Sequence, residues 1–194
     1  TLGLDPKLVL ASSSPRRRDL LARLGLIPDR VASPDIDENP RKGEIPRVYA
    51  LRMAEEKAVA VVRNAGEIVV AGDTTVAVGR RILPQAADAE MQRGFLELLS
   101  GRRHHVLSAV AVIDADGRMR SRVCDSIVRF KRLGNDEIQS YIDCGEGLGK
   151  AGGYAIQGRA EALIDWMAGS HSGVIGLPLY ETRALLRASG YPLD

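Results

Sequence analysis

The sequence predicts a mixed α/β fold in which helices flank one long curved sheet and two lobes enclose a cleft. Short β-prone runs alternate with helical patterns in the first third of the chain, and two long β-prone runs follow each other in the middle. The alternation is typical of parallel strands joined by helices, and the consecutive runs are typical of an antiparallel hairpin. We expect a single domain over residues 1–194, because no linker, repeat or low-complexity tract divides the chain.

The first third of the chain contains two predicted strands and two predicted helices. "KLVLA" (7–11) and "DRVAS" (29–33) are short β-prone runs. Between them, Ser14 as N-cap and Pro15 at the first helical position begin a helix that Gly25 ends. A longer helix is predicted from about Pro46 to about Ala65. Its predicted apolar face consists of Val48, Leu51, Ala54, Ala58 and Val61.

The middle of the chain contains the longest predicted strands. "EIVVAGDTTVAV" (67–78) is typical of a buried strand interrupted or bent at Gly72, and a turn near Gly79 leads into the short strand "RIL" (81–83). "ADAEMQRGFLELL" (87–99) predicts a helix that Ser100 and Gly101 close. The runs "HVLSAVAVID" (105–114) and "MRSRVCDSIVRF" (119–130) flank "ADG" and predict an antiparallel hairpin.

The last part of the chain contains two predicted helices and two predicted strands. "NDEIQSYID" (135–143) predicts a short helix capped by Asn135. "GGYAIQG" (152–158) and "ALIDWM" (162–167) are interpreted as strands. "PLYETRALLRAS" (178–189) predicts a final helix that Gly190 caps.

Composition indicates an intracellular globular protein. Apolar residues make up 45% of the chain and the formal net charge is +2, so the overall charge does not require a polyanionic partner. Cys124 and Cys144 lack metal-ligand spacing, which favours reduced thiols and a cytoplasmic location. No apolar run approaches the roughly 20 residues that span a bilayer, so we expect no membrane partner.

The stretch "LVLASSSPRRRDLL" (8–21) has two interpretations. A loop of hydroxyl groups before a helix N-terminus, followed by Arg16 and Arg17, is typical of an anion site. Alternatively, Ser14 is an ordinary N-cap and the arginines form a solvated face. Three cations in the first turn oppose the helix dipole, and a bound anion would remove this conflict.

Charged residues elsewhere add candidates for metal-assisted phosphate chemistry. Asp73 follows an apolar strand beside a glycine, as a metal-binding or proton-accepting carboxylate does, although a turn residue is the alternative. Asp37 and Glu38 lie in a polar loop and Lys57 lies on a helix, where solvated charges are the alternative. Together these groups are the inventory for Mg²⁺-assisted attack on phosphorus.

"GKAGGYAIQG" (149–158) suggests a wall for a flat ring. Tyr154 lies beside paired glycines, and the amide of Gln157 can read donor and acceptor edges at once. A glycine-rich turn with a satisfied amide is the alternative. The three histidines have no metal-ligand spacing, and we assign them no role in the reaction.

The chain resembles the Maf family of nucleoside triphosphate pyrophosphatases, also known as septum formation inhibitors, along nearly its whole length. The matching pieces, in the family's order, are "LVLASSSPRR", "IDENP", "AEEKA", "GDTTV", "LLSGRRH", "GKAGGYAIQG" and "VIGLPLYET". The resemblance implies a Maf/ITPase-like fold and hydrolysis of a nucleoside triphosphate between the α and β phosphates, with Mg²⁺ or Mn²⁺ as the cofactor.

The resemblance also implies roles for individual residues. Asp73 resembles the family's proton acceptor, and Asp73 with Glu38 is the expected metal-binding pair. The expected phosphate-binding residues are Ser12, Ser14, Arg17 and Lys57. Three positions that set the substrate class in the family are Arg16, Thr74 and Gln157 here, a set similar to the dTTP and UTP branch.

Three departures from the family pattern bear on this expectation. Gln85 stands where the family usually has a lysine, which removes one candidate phosphate contact. The chain has "AGDT" in place of "GADT", and it has "SHSG" (170–173) where the family has an aromatic and then a larger residue. The aspartate and threonine remain in place.

We therefore expect a cytoplasmic pyrophosphatase that acts on dTTP, UTP or modified pyrimidine triphosphates. The resemblance further suggests a homodimer. A nucleotide-binding regulator of cell division without significant turnover is the alternative, to which Gln85 is relevant. A nucleic-acid-binding module is disfavoured, because the chain has few aromatic residues on which bases of a single strand could stack.

Overall fold

The computed structural model describes residues 6–193 and contains one seven-stranded sheet with apolar cores on both faces. The strands are β1 (Lys7–Ala11), β2 (Arg30–Ala32), β3 (Glu67–Val78), β4 (Arg81–Leu83), β5 (Arg103–Ile113), β6 (Met119–Phe130) and β7 (Ile164–Ala168). The helices are α1 (Pro15–Arg23), α2 (Pro46–Ala60), α3 (Ala89–Leu99), α4 (Asn135–Asp143), α5 (His171–Ile175) and α6 (Leu179–Ala188), with a 3₁₀ helix at Arg159–Leu163. Residues 1–5 and 194 of the predicted domain lie outside the described residues.

The sheet is mixed, as the sequence predicts. Its order is β2-β1-β3-β5-β6-β7, and β4 pairs with β3. β1 runs parallel to β2 and β3, whereas the pairs β3 and β5, β5 and β6, and β6 and β7 are antiparallel. The helical connections of the first third give the parallel strands, and the hairpins give the antiparallel strands.

The predicted central hairpin is confirmed. β5 and β6 pair from Arg103 opposite Arg129 to Ile113 opposite Met119. The carboxylate of Asp114 accepts the backbone N–H of Arg118 at 2.8 Å, which closes the connection between the strands. Local sequence signals suffice here, because both strands and their turn are contiguous in the chain.

Side-chain size sets how closely α2 approaches the sheet. Ala50, Ala54 and Ala58 of α2 are fully buried in the core on one face of the sheet. Small side chains at a helix–sheet contact let the backbones come close together. The larger core on the opposite face contains leucines such as Leu20 and Leu186 from α1 and α6. The close packing of α2 brings Lys57, from the same helix, to the sheet surface.

Two details of the predicted α2 are wrong. The helix ends at Ala60 rather than near Ala65, because Val61 takes an extended backbone with φ −86° and ψ 122° on the way to β3. Val48 is 52% exposed, whereas Tyr49 and Lys57 are buried. Ala54, Ala58 and Val61 of the predicted apolar face are buried, so the apolar pattern locates part of the buried face and misses the lysine within it.

The predicted strand at 152–158 is also wrong. Residues 152–158 form two turns joined by irregular backbone, and Gly152 and Gly153 adopt φ +70° and +74°, which extended strands do not use. A side chain at Gly152 would also bring its Cβ to 2.8 Å from Val76 Cγ1. The glycine is therefore required for this segment to lie against β3.

The remaining differences are short elements near the C-terminal end. Gly134 rather than Asn135 is the N-cap of α4, and its N–H donates to the Glu137 carboxylate at 2.9 Å. α5 and the 3₁₀ helix were not predicted, because each has only five residues and no helical period. Within the described residues, no helix combines the length and the apolar character that crossing a membrane requires.

Candidate active site

An opening in one edge of β3 forms the base of the candidate site. On this edge β3 pairs with β1 through Ala71 and resumes pairing, with β4, at Val76. Residues 72–75, which include Asp73 and Thr74, lie between the two partner strands. Because successive side chains of a strand point to opposite faces, Asp73 faces α2 while Thr74 faces the α1 side. The opening lets one cavity reach both side chains.

Arg17 occupies the α1 side of the opening. Its guanidinium donates to three uncharged oxygens: Gly176 O at 2.9 Å, Ser12 Oγ at 3.2 Å and Thr74 Oγ1 at 3.3 Å. Burial lowers the pKa of Arg17, and this effect is partly opposed by Asp73 and Glu38. A half-buried cation held by neutral acceptors favours a bound anion nearby.

Gly72 makes this position of Arg17 possible. A Cβ at Gly72 would lie 3.3 Å from Arg17 Nε and 3.1 Å from Leu177 Cδ1. The bare backbone therefore lets the guanidinium lie against β3 next to Asp73. The predicted bend at Gly72 is a close approach of this kind rather than an interruption, since β3 continues to Val78.

Ser14 begins α1 as predicted, but its side chain does not cap the helix. It lies at the N-cap position and Pro15 follows at the first helical position, while no helical N–H donates to the Ser14 hydroxyl. The Ser14 N–H donates to Ser12 Oγ at 3.1 Å. Ser12 thus organises the loop and Arg17 together, and the hydroxyl of Ser14 is not used in capping.

Lys57 lies between two carboxylates on the α2 side. Its Nζ is 2.9 Å from Asp73 Oδ1 and 3.1 Å from Glu38 Oε2. Lys57 and Asp73 are buried, whereas the Glu38 side chain is 52% exposed. The second carboxylate oxygen of Asp73 accepts the Thr75 hydroxyl at 2.8 Å, so both oxygens of Asp73 are fixed.

These groups line one polar cavity of about 150 Å³. The predicted site residues on its wall are Ser12, Ser14, Arg16, Arg17, Glu38, Lys57, Asp73 and Thr74. The structure therefore brings together all the predicted site residues except Gln157. Gln157 is exposed in the turns after Tyr154 and is absent from the lining that the described residues form. Its predicted role in substrate choice stays a prediction.

Lys150 is a cavity residue to which the sequence analysis gave no role. It lines the cavity with Arg16, and it is half-buried. Burial and the charge of Arg16 lower the pKa of Lys150, while burial and Arg17 lower that of Arg16. Gln85, which stands where the family usually has a lysine, lines the same cavity. Its backbone forms an isolated antiparallel β-bridge with Ala151, the residue after Lys150. Lys150 lies within the motif "GKAGGYAIQG", and this position is the sequence signal that could have identified it.

Tyr154 forms part of the cavity wall, as the ring-wall prediction requires. Its hydroxyl lies 2.6 Å from His104 Nε2, and its ring packs edge-on against Phe130. His104 stacks on Phe130 and is fully buried, and its Nδ1 has no hydrogen-bond partner among the described residues. Burial, with a smaller effect of His105, lowers the pKa of His104 to about 4.

His104 should make the fold sensitive to acid. The pKa of His104 in the folded protein is about 4, below the ordinary 6.5. Between these pH values, His104 is protonated in the unfolded chain and stays neutral in the folded protein. The contribution of His104 to the free energy of unfolding should be at its maximum above pH 6.5. It should fall by about 3 kcal/mol as the pH drops to about 4. Urea unfolding measures this loss of stability across the pH range. In His104→Gln, which keeps an acceptor for Tyr154 but does not titrate, the loss should be about 3 kcal/mol smaller than in the unchanged protein. An equal loss in both proteins would contradict the assignment.

The carboxylates of this opening fit a divalent metal ion. Mg²⁺ and Mn²⁺ favour carboxylate oxygens, and such ions usually take one or two carboxylates together with water and substrate phosphates. Among residues 6–193, no group of three or more histidine, cysteine, aspartate or glutamate side chains could hold a metal. An ion that binds together with phosphate oxygens would be held by Asp73 and Glu38, the two carboxylates that contact Lys57.

Comparison with known proteins gives relatives over nearly the whole chain. The chain is 61% identical to a dTTP/UTP pyrophosphatase of Sphingopyxis alaskensis, over 97% of this chain and 99% of the relative. It is 60% identical to a dTTP/UTP pyrophosphatase of Novosphingobium aromaticivorans, over 96% of this chain and 93% of the relative. Among solved structures, a HAM1 protein from Coxiella burnetii is similar with a TM-score of 0.49 and 16% identity, over 94% of this chain and 99% of that chain.

The match to a family extends across the fold and the site. A sequence model described as "Maf-like protein" matches residues 7–189, from the start of β1 to the end of α6. Every residue on the wall of the candidate site lies within the matched region. The resemblance predicted from the sequence motifs is thereby confirmed, and the chain belongs to the Maf-like protein family.

Proposed function

We propose that this protein is a metal-dependent nucleoside triphosphate pyrophosphatase that converts dTTP and UTP into the monophosphate and pyrophosphate. The observation that carries the proposal is the opening in β3, where a half-buried arginine held by neutral oxygens lies beside a carboxylate pair. A triphosphate would complement the cations, and a water molecule near Asp73 would be the nucleophile. The names of the Sphingopyxis and Novosphingobium relatives support the substrate class.

The proposed reaction uses the hydroxyl loop and Arg17 to bind phosphate, and Asp73 to accept a proton. The hydroxyl loop with Arg17 binds phosphate oxygens and leaves the α phosphorus accessible to water. The water oxygen forms a bond to this phosphorus, Asp73 accepts the water's proton, and the bond to the α–β bridging oxygen breaks. That oxygen leaves with pyrophosphate. When bound, Mg²⁺ or Mn²⁺ supplies Lewis-acid polarisation of the phosphate oxygens.

Lys57 and Thr75 prepare Asp73 for the proton. Lys57 donates to one oxygen of the Asp73 carboxylate and Thr75 donates to the other, so the acceptor is oriented before the nucleotide binds. Lys57 and the cations on the α1 side also neutralise charge that develops on the phosphate chain. The arrangement therefore lowers the barrier by orienting groups in advance.

Arg16 and Thr74 are proposed to contribute to substrate choice from inside the cavity, and Gln157 from the turns outside it. Thr74 donates its hydroxyl to Gly176 O at 3.3 Å and accepts from Arg17, so its orientation is fixed on both sides. Gln157 is exposed and reaches a substrate only if the base extends beyond the cavity wall. Gln157→Glu should change the preference among nucleotides more than it changes turnover of the preferred one.

The proposal is tested with pure protein, Mg²⁺ or Mn²⁺, and a panel of dTTP, UTP, CTP, GTP and 7-methyl-GTP. Pyrophosphate and monophosphate are measured separately, because release of inorganic phosphate would indicate a different bond. Pyrophosphate from dTTP and UTP alone supports the proposal. Release mainly from 7-methyl-GTP would retain the reaction and contradict the substrate assignment. Nucleotide binding with no release under either metal would favour a regulator of cell division without turnover.

Lys150→Met should raise the KM for dTTP about tenfold or more, because a hydrogen bond to a charged group is typically worth about 1.5–3 kcal/mol. We propose that the charged form of Lys150, which lies on the cavity wall, binds a substrate phosphate; its pKa is below its ordinary value. Consequently kcat/KM should fall with rising pH at a lower pH than an ordinary lysine would give, and Lys150→Met should lack this fall. Lys150→Arg should restore the affinity.

The matched control for this prediction is Lys131→Met. Lys131 is a surface lysine paired with Glu137 at 2.6 Å, outside the cavity lining. The Lys131→Met variant should leave the KM for dTTP unchanged. A similar KM for the Lys150→Met variant and the unchanged protein would contradict the phosphate contact.

We also propose a cytoplasmic location and a homodimer. Both cysteines are free, which is typical of proteins in a reducing compartment. The homodimer rests on the family resemblance, and light scattering after size exclusion tests it.

A further inference from the structure

The loop between β2 and α2 carries Glu38 to the site without secondary structure of its own. The Glu38 side chain is 52% exposed, and its one ionic contact given by the described residues is the 3.1 Å contact with Lys57. In a loop of this kind, the position of a side chain is fixed only if other contacts fix the loop backbone. The position of Glu38 therefore depends on what fixes residues 38 and 39.

Two side chains of α2 bind this backbone directly. The Tyr49 hydroxyl donates to Glu38 O at 2.8 Å, and Arg52 Nη2 donates to Asn39 O at 3.1 Å. Tyr49 is 9% exposed, and its ring also lies 5.6 Å beneath the Arg52 guanidinium. The two donors thus hold consecutive carbonyl groups next to the carboxylate that faces Asp73.

Arg52 is itself fixed by the far end of the same loop. Its guanidinium makes a forked pair with Glu44, at 2.6 Å from Nε and 2.7 Å from Nη2. The Arg52 side chain is 13% exposed and that of Glu44 is 5% exposed, so the pair is largely shielded from solvent. Forked pairs of this kind restrict orientation more than single contacts do. The guanidinium therefore joins the middle of the loop, at Asn39, and its far end, at Glu44, to α2.

We propose that Tyr49 and Arg52 are positioning residues that hold Glu38 where its carboxylate can bind the metal ion together with Asp73. Tyr49 and Lys57 lie about two turns apart on α2, so one helix holds both the backbone and the carboxylate of Glu38. Neither residue needs to touch the substrate for this role. The inference rests on the proposed function, because it assigns Glu38 to the metal.

The test is Mn²⁺ binding by Tyr49→Phe without nucleotide, measured from the electron paramagnetic resonance signal of free Mn²⁺. The variant keeps the ring and loses only the hydroxyl, so Mn²⁺ should bind about threefold to tenfold more weakly, the effect of one hydrogen bond. With Mn²⁺ at saturation, kcat and the KM for dTTP should stay within about twofold of the unchanged protein. Tyr180→Phe is the matched control, since Tyr180 is 80% exposed, and it should bind Mn²⁺ normally.

Two further variants separate positioning from a general effect on the fold. Arg52→Lys keeps the charge and loses the fork, so it should also weaken Mn²⁺ binding. In a Glu38→Gln background, Tyr49→Phe should weaken Mn²⁺ binding no further, because the ligand it positions is already gone. A Tyr49→Phe effect that persists undiminished in that background would overturn the inference, as would unchanged Mn²⁺ binding in Tyr49→Phe or no Mn²⁺ binding by the unchanged protein.

The binding measurement also distinguishes this inference from the proposed function. If no nucleotide in the panel releases pyrophosphate but Tyr49→Phe weakens Mn²⁺ binding through Glu38, the pyrophosphatase assignment fails and the positioning role stands. If dTTP is hydrolysed but Mn²⁺ binding is insensitive to Tyr49, the assignment stands and the positioning role is wrong.

Discussion

Asp73→Asn is expected to lower kcat for dTTP by about 10²-fold or more, the usual contribution of a positioned proton acceptor. The amide has the shape of the carboxylate but neither accepts a proton at neutral pH nor carries the charge that a metal ion and Lys57 require. The fold should stay intact, because the amide oxygen can still accept from Lys57 and the amide nitrogen can donate to the Thr75 hydroxyl. Pyrophosphate release and circular dichroism check the two parts of this prediction.

Asp165→Asn is the matched control for this substitution. Asp165 lies on β7, its side chain is 45% exposed, and it pairs with Arg129 outside the cavity lining. It should retain full turnover. Normal activity of Asp73→Asn with an unchanged metal requirement would remove Asp73 from both of its proposed roles.

Lys57→Met is expected to destabilise the protein by about 3 kcal/mol in the absence of metal, because it leaves a buried carboxylate without its partner. Asp73 is 6% exposed, and the nearby charge of Arg17 compensates it only in part. Added Mn²⁺ should restore more stability in Lys57→Met than in the unchanged protein, since the ion takes over the cationic position between the carboxylates. Denaturant unfolding with and without Mn²⁺ measures both effects.

The double variant Lys57→Met/Asp73→Asn isolates the charge effect from the loss of packing. It removes the unpaired carboxylate, so it should be more stable than Lys57→Met alone. Lys42→Met, at an exposed loop position, should change stability by less than about 0.5 kcal/mol. A double variant that is no more stable than the single variant would show that packing, rather than charge, is what Lys57 contributes.

The parts of the fold that could be predicted are those that short-range sequence signals specify. β5 and β6 with their turn are contiguous, and Ser14 with Pro15 identifies the start of α1. The glycine pair at 152 and 153 misled the prediction, because the surrounding residues are β-prone while both glycines adopt left-handed backbone angles. Strand propensity does not register a backbone conformation that only glycine adopts readily.

The buried face of α2 shows why a charged site resists prediction from hydrophobic periodicity. Periodicity assigns a lysine to the solvent side, yet Lys57 is buried because Asp73 supplies the opposite charge from another element. The residue types of the site were recognisable from their motifs and from the family resemblance. Their mutual contacts depend on pairing between distant segments.

The opening in β3 could not be predicted for the same reason. It exists because β1 stops pairing at Ala71 and β4 begins at Val76, and these registers are set by long-range contacts. The contact of Tyr154 with His104 spans 50 positions and likewise has no local signal. His104 has no predicted role in the reaction, and its hydrogen bond to Tyr154 supports the cavity wall.

The bond from Arg17 to Gly176 joins groups 159 positions apart, near the beginning and the end of the chain. During synthesis on a ribosome, the hydroxyl loop, Lys57 and Asp73 emerge long before the carbonyl that fixes the guanidinium. A nascent chain that stops after α4 therefore has Arg17, Lys57 and Asp73 but lacks Gly176, one of the three acceptors that hold the Arg17 guanidinium. If the protein binds a nucleotide as proposed, we expect it to acquire this capacity late in translation, so prematurely terminated chains should not compete for the cellular nucleotide pool.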